Sequence, residues 1–407
     1  MKPNCGKSNL DLRVYIRAVA IAAVVTSMIT FSNKLDADTG MCGGPSITLP
    51  FTDVPSSNVF FCSIAEAFFS GLTNGTSATT YNPSDPVTRE QMAAFITRTQ
   101  DSALRRGSKR AALRQFWTTT PQYAIGGTTL VGGQPQFVKS DGADLWVASF
   151  DNSSVSRVRA SDGKLLETWT SAVGPVAVLV AMGRVFVTGT TNPGRLYMID
   201  PKAAAGAVTL VTGALGSDPL GIAFDGSRIW TVNFFAGSVS IITPASTTPW
   251  PVTNVTTGFA GPTGILFDGS NIWVTDYSAN KLFKLDQNGA ILQSITLGGI
   301  PNYPAFDGTN IWVPNHLGNS ISVVRASTGS LIQTLTGNGL DNPLQAAFDG
   351  QRILVTNQTG SVSLWKAADL TPVGTFSTGA NSVPLGACSD GVNFWITLSG
   401  GNELARF

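Results

Sequence analysis

The sequence predicts an all-β fold, a ring of seven four-stranded antiparallel blades preceded by a small α-helical module, and three observations predict it. The phrase FDGSNIWVTD at residues 267–276 returns as FDGTNIWVPN from Phe306 and as FDGSRIWTVN from Phe224. Its large apolar residue recurs at Trp146, Phe186, Trp230, Trp273, Trp312, Leu354 and Trp395, at intervals of 40, 44, 43, 39, 42 and 41 residues. An Asp-Gly pair precedes six of the seven, at Asp141, Asp225, Asp268, Asp307, Asp349 and Asp390, with Met182-Gly183 standing in for the missing one. A period of about 40–45 residues is that of a β-propeller, one blade per repeat. The 43 glycines and 22 prolines, spread along the chain, suit short strands joined by tight turns.

Composition bounds the function. With 43% hydrophobic and 13% charged residues, 407 residues can bury a large core and hold more than one domain. The formal net charge of +1 advertises no nucleic-acid partner. Lys2, Lys7, Arg13 and Arg17 precede an uncharged, mostly apolar run at 18–31, followed by SNKLDADTG. That order is a secretory signal peptide, placed at 1–37, and the run is shorter than the roughly 20 residues that span a bilayer. The expected mature protein is secreted to the cell surface or envelope and keeps no membrane segment. Cys5 leaves with the signal. Cys42 and Cys62 then lie close together in an oxidising compartment, where a small disulfide loop and two free thiols are both open. Cys388 reads as a buried small hydrophobe.

Residues 45–100 read as a helical hairpin. Ile64, Phe68 and Phe69 sit at helical spacing, SGLTNG stops that helix, and Pro86 and Thr88 open a second whose apolar face carries Met92, Phe95 and Ile96. The set Phe51, Asp53, Val54, Pro55, Ile64, Gly71, Gly75, Tyr81 and Pro83, closed by VTREQMA at 87–93, resembles an S-layer homology (SLH) motif. The resemblance implies attachment of an exported protein to bacterial cell-wall polysaccharide, with Asp53, Arg89 and Glu90 as the glycan-binding positions. A guanidinium at Arg89 suits a carboxylate-bearing sugar. Arg105, Arg106, Lys109, Arg110 and Arg114 make 101–115 a basic helical linker that can lie against acidic wall polymer.

Residues 116–407 form the propeller. In the fourth repeat PTGILF leads through the Asp-Gly turn to NIWVTD, then NKLFKLD, then AILQSITLG, each alternating as a half-buried strand does. The last repeat stops at Phe407 without an outer strand, and TTLVGG at 128–133 is the spare strand expected to close the ring. The propeller resembles YVTN and NHL-type rings and, more loosely, streptogramin lyases, which implies a fold and no activity.

If each blade runs from the axis outward, one rim displays Phe150, Asp151, Asn233, Phe234, Asp276, Tyr277, Asn315, His316 and Asn357. These aromatic and amide groups could bind an unidentified glycan or protein, although Asn and Asp at strand ends also serve their own turns. No catalytic residue and no metal ligand is assigned. His316 is the only histidine in the chain, and Glu167 and Glu403 are the propeller's only glutamates. No cofactor is expected, and a divalent cation in the channel stays open. The first reading is an envelope-attached binding or scaffold protein. The second is a propeller lyase or lactone hydrolase that uses such a metal on a carbohydrate or lactone.

Overall fold

The computed structural model describes residues 38–42, 46–105 and 124–407. The expected signal at 1–37 and the linker beyond residue 105 lie outside the described residues. Seven four-stranded antiparallel sheets follow the helical module, at 135–169, 175–215, 219–255, 262–296, 305–336, 343–377 and 384–406 (blades 1 to 7). Within each the strands run outward in chain order, and the first strands of successive blades pack side by side around the axis. In blade 7, Glu403–Arg406 is only the third strand, and the fourth is supplied by Gly127–Leu130. The register runs from Gly127↔Arg406 to Leu130↔Glu403, so both ends of the propeller meet in one ladder and the ring closes.

The recurring phrase is held by one repeated hydrogen-bond pattern. In the Asp-Gly turn, one carboxylate oxygen accepts from the backbone amides two and three residues on; for Asp268 these are Ser270 (2.8 Å) and Asn271 (2.7 Å). The other oxygen accepts from the indole N–H five residues on. Asp141–Trp146 (2.9 Å), Asp225–Trp230 (2.7 Å), Asp268–Trp273 (2.7 Å), Asp307–Trp312 (2.9 Å) and Asp390–Trp395 (2.8 Å) all do this. Each tryptophan is at most 1% exposed, so its one donor needs an internal acceptor. Burial pushes the Asp225 carboxyl up, but the Trp230 indole and the Arg228 and Ser227 amides outweigh it and hold it down at about 2. Where blade 6 has Leu354 in the slot, Arg352 donates to Asp349 instead (2.8 Å). The Asp-Gly pair is therefore both turn and indole acceptor.

The helical module is seated on the propeller. The hairpin Thr39–Met41 (β1) and Ser46–Thr48 (β2) precedes helix Phe61–Phe69 (α1), and a Cys42–Cys62 disulfide ties the two together. Ile47, Leu49, Phe51, Phe61, Ile64 and Phe69 share one core with Trp312, Ile321 and Trp365 of blades 5 and 6. The last carbonyls of α1, which have no partner inside the helix, are capped from blade 5. Asn310 donates to Phe69 O (2.7 Å), Thr309 to Ser70 O (3.2 Å), and Arg325 to Phe68 O while lying over the Phe68 ring.

The second helix, Arg89–Arg105 (α2), continues past residue 100, where the helical module was expected to end. Of its expected apolar face only Phe95 is half-buried, while Met92 and Ile96 are 49% and 60% exposed.

Candidate functional site

The residues that resemble the SLH motif first do structural work. Phe51 is completely buried, edge-on to Phe68 at 5.3 Å and 5.4 Å from Tyr81. The Asp53 carboxylate accepts from the amides of Tyr81 (2.9 Å) and Asn82 (2.7 Å), so it pins the loop. Gly75 has a φ of +78°, and a Cβ there would stand 2.4 Å from the Phe51 ring, which leaves glycine alone suitable. Thr88 and Gln91 form a reciprocal capping box: Thr88 N donates to Gln91 Oε1 (2.8 Å) and Gln91 N to Thr88 Oγ1 (3.2 Å).

These elements enclose a cleft of about 640 Å³ between α2 and the 73–86 loop. Its walls include Asn74, Gly75, Tyr81, Asp85, Gln91 and Arg98. Arg98 is exposed and donates to Leu72 O at 3.2 Å, bridging α2 to the loop. Sequence reading passed over Arg98, yet the signal was there: Gln91, Ala94, Phe95 and Arg98 recur on one helical face. Arg89 and Glu90 are exposed in the first turn of α2 and do not line this cleft. Glu90 suits the positive end of the helix dipole. A cation at Arg89 does not, so helix stability gives no account of it.

The rim residues divide sharply. Phe150 and Asp151 are exposed, and Phe234, Tyr277 and His316 are half-buried. Phe234 lies 5.3 Å from the neighbouring Phe235, which is 77% exposed, and 5.7 Å from Tyr277. The structure thus joins blades 3 and 4 in an aromatic cluster that includes a residue the sequence reading omitted.

Asn233, Asp276, Asn315 and Asn357, expected on the rim, are instead completely buried. Asn233 donates to Ser238 Oγ (3.0 Å) and Ser240 Oγ (2.8 Å), and Asn357 to Ser361 Oγ (3.0 Å) and Ser363 Oγ (2.9 Å). The Asn315 amide lies 3.0 and 2.9 Å from the Ser320 and Ser322 hydroxyls. Asp276 accepts from the amides of Ala260, Gly261 and Ala279. Their polar capacity is taken up in closing strand ends, as short Asx side chains tend to do.

Blade 1 keeps the paired serines, Ser154 and Ser156, but has Ser149 in the asparagine position, and the Ser149 and Ser154 hydroxyls have no partner. Ser149→Asn should restore the network and raise stability by about 1 kcal/mol. A shift of the urea midpoint to higher concentration would show it, and a fall would mean that Gly132, which packs on Ser149, leaves too little room.

Where the first strands of the blades converge, the Phe137 and Tyr303 rings pack with centroids 4.4 Å apart and planes tilted by 59°, beside a void of about 50 Å³ walled by Leu220, Ile222, Ile265 and Gln345. The walls carry Lys139 and no carboxylate or histidine, a donor set that does not fit a hard divalent cation. Among the described residues no three His, Cys, Asp or Glu side chains converge to hold a metal. Burial pushes the Cys388 thiol up to about 12, against thiolate reactivity. No described helix is long and apolar enough to cross a membrane.

Residues 50–93 match the S-layer homology domain family. The capping box, the pinned loop and most of the cleft walls fall inside this segment. No curated protein sequence matches the chain significantly. Among solved structures, a streptogramin B lyase is similar in fold, with 15% identity, a TM-score of 0.56, and coverage of 70% of this chain and 99% of that one. A catalytically inactive virginiamycin B lyase variant from Staphylococcus aureus, solved with quinupristin, gives 15% identity, a TM-score of 0.57 and coverage of 69% and 97%.

Proposed function

We propose that this is an exported protein attached to the cell envelope. Its S-layer homology segment holds an anionic wall polysaccharide, and its propeller is a rigid scaffold that presents a recognition face to a second ligand. The match at 50–93 carries the first half, because domains of this family attach proteins to wall polysaccharide, and the cleft beside α2 provides a concave polar site of suitable size. Arg98 within that cleft and Arg89 at its helix start supply charge-assisted donors for sugar carboxylates. The Phe234, Phe235 and Tyr277 cluster supplies the second face, where flat rings can stack on a glycan or a peptide. A shared ring at 15% identity carries no lyase activity to this chain.

Pelleting of the full chain with bacterial sacculi that retain their anionic polysaccharide tests the attachment. Loss of one charge-assisted contact costs about 1.5–3 kcal/mol, so Arg98→Ala and Arg89→Ala should each weaken retention roughly tenfold to hundredfold. Sacculi stripped of the polysaccharide by acid should hold none of the three proteins. Equal retention of native and both variants would remove the reading.

A further inference from the structure

The cleft beside α2 is not closed at its propeller end. Asn74, exposed at the tip of the loop after α1, lines that cleft and also two others. One, of about 560 Å³, runs between the module and blade 5 and shares Gly75 with the first. The other, of about 430 Å³, lies on the propeller itself, where the Asp-Gly turns of blades 4 and 5 meet the end of the third strand of blade 5. Arg325 lines both of these. The three clefts therefore adjoin at Asn74, from the S-layer homology segment to the β-ring.

The propeller cleft has the chemistry of a sugar site. Ser270, Asn271, Thr309 and Ser327 offer hydroxyls and amides, and Lys284 and Arg325 bring two cations. Lys284 Nζ uses one donor on Ala326 O (3.1 Å) and lies over Trp273, and an ammonium has three donors. The one carboxylate in this cleft, Asp268, is engaged by Ser270 N, Asn271 N and the Trp273 indole. Each cleft falls within the volume range of ligand sites, about 300–1,000 Å³.

We propose that the wall-polysaccharide site is composite. A carboxylate-bearing glycan chain seated beside α2 passes Asn74 and continues onto the Asp-Gly face of blades 4 and 5, so that the propeller is itself part of the receptor. This rests on the attachment proposed above and adds a second, longer contact to it. It also gives the seating of the module a purpose, because capping of α1 by Asn310, Thr309 and Arg325 fixes the two halves of the site in register.

The test uses the full chain and polysaccharide released from sacculi, size-fractionated into long chains and the shortest fragment that still binds. Ser270 and Ser327 are exposed, so Ser270→Glu with Ser327→Glu places two negative charges along the propeller cleft without touching the core. Affinity for long chains should fall at least tenfold while affinity for the shortest fragment stays as in the native protein. The neutral pair Ser270→Gln with Ser327→Gln should lose much less affinity for long chains than the glutamate pair does; a loss equal to that of the glutamate pair would overturn the assignment to an anionic chain. Native affinity for long chains in the glutamate pair, with binding still lost in Arg98→Ala, would overturn the composite site and leave attachment standing. Unchanged binding in Arg98→Ala and Arg89→Ala would instead remove the attachment on which it rests.

Discussion

A chain ending at Asn402 is expected to lose the ring, not to fray at one end. The five residues removed include the strand Glu403–Arg406, which pairs with Phe394–Leu398 on one side and Gly127–Leu130 on the other. Leu404 and Ala405 are completely buried and Phe407 is 7% exposed, with Phe407 also exchanging backbone hydrogen bonds with Phe394 (2.8 and 2.9 Å). Burying a Leu or Phe side chain stabilises by about 1.5–3 kcal/mol, and each lost hydrogen bond removes about 0.5–1.5 kcal/mol more. Together these approach the whole stability of an ordinary domain, about 5–15 kcal/mol. The truncation also leaves two unpaired strand edges facing each other, a template for pairing between molecules. Size-exclusion chromatography should show the native species replaced by aggregate. A soluble species eluting as the native protein does, with the native urea midpoint, would mean that closure through residues 127–130 contributes little.

The ring could be read from the sequence because its cause is local and repeated. The same strands return seven times, with the Asp-Gly turn in six repeats and the tryptophan in five, and the missing last strand and the spare first one are both visible as arithmetic. The Asp-to-Trp hydrogen bond was hidden in plain view. The five-residue offset never varies, but glycine and packing already accounted for the pattern. The rim residues were harder. Asn233, Asn315 and Asn357 are followed by spaced serines in the next strand, and that pairing distinguishes a buried amide from one offered to solvent. Seating of the module had no signal at all. Asn310 holds Phe69 O across 241 residues, yet it occupies the same turn position as Asn271 and Asn393, which have no such task. A contact made once by a residue type used repeatedly leaves no trace in periodicity.

That difference between equivalent turns gives the sharpest expectation about the module. Asp307 is completely buried, and its carboxylate accepts from Thr309 N (2.8 Å), Asn310 N (2.7 Å) and the Trp312 indole (2.9 Å). Alanine there strips the acceptor from these three donors and from the Asn310 side-chain amide (3.4 Å). At about 1–3 kcal/mol for each buried group left unsatisfied, Asp307→Ala should cost roughly 4 kcal/mol, near the top of the range for single substitutions. Asp268→Ala removes the same three contacts in blade 4 and should cost the propeller a similar amount. Only Asp307 anchors the turn whose Asn310 and Thr309 cap α1, and whose Trp312 shares a core with Phe61 and Phe69. Limited proteolysis should therefore cut residues 46–105 much faster in Asp307→Ala than in Asp268→Ala, even at temperatures where both rings are still folded. Equal rates of cutting in the two variants would show that the module is held by its apolar contacts alone, and that the helix cap from blade 5 contributes nothing measurable.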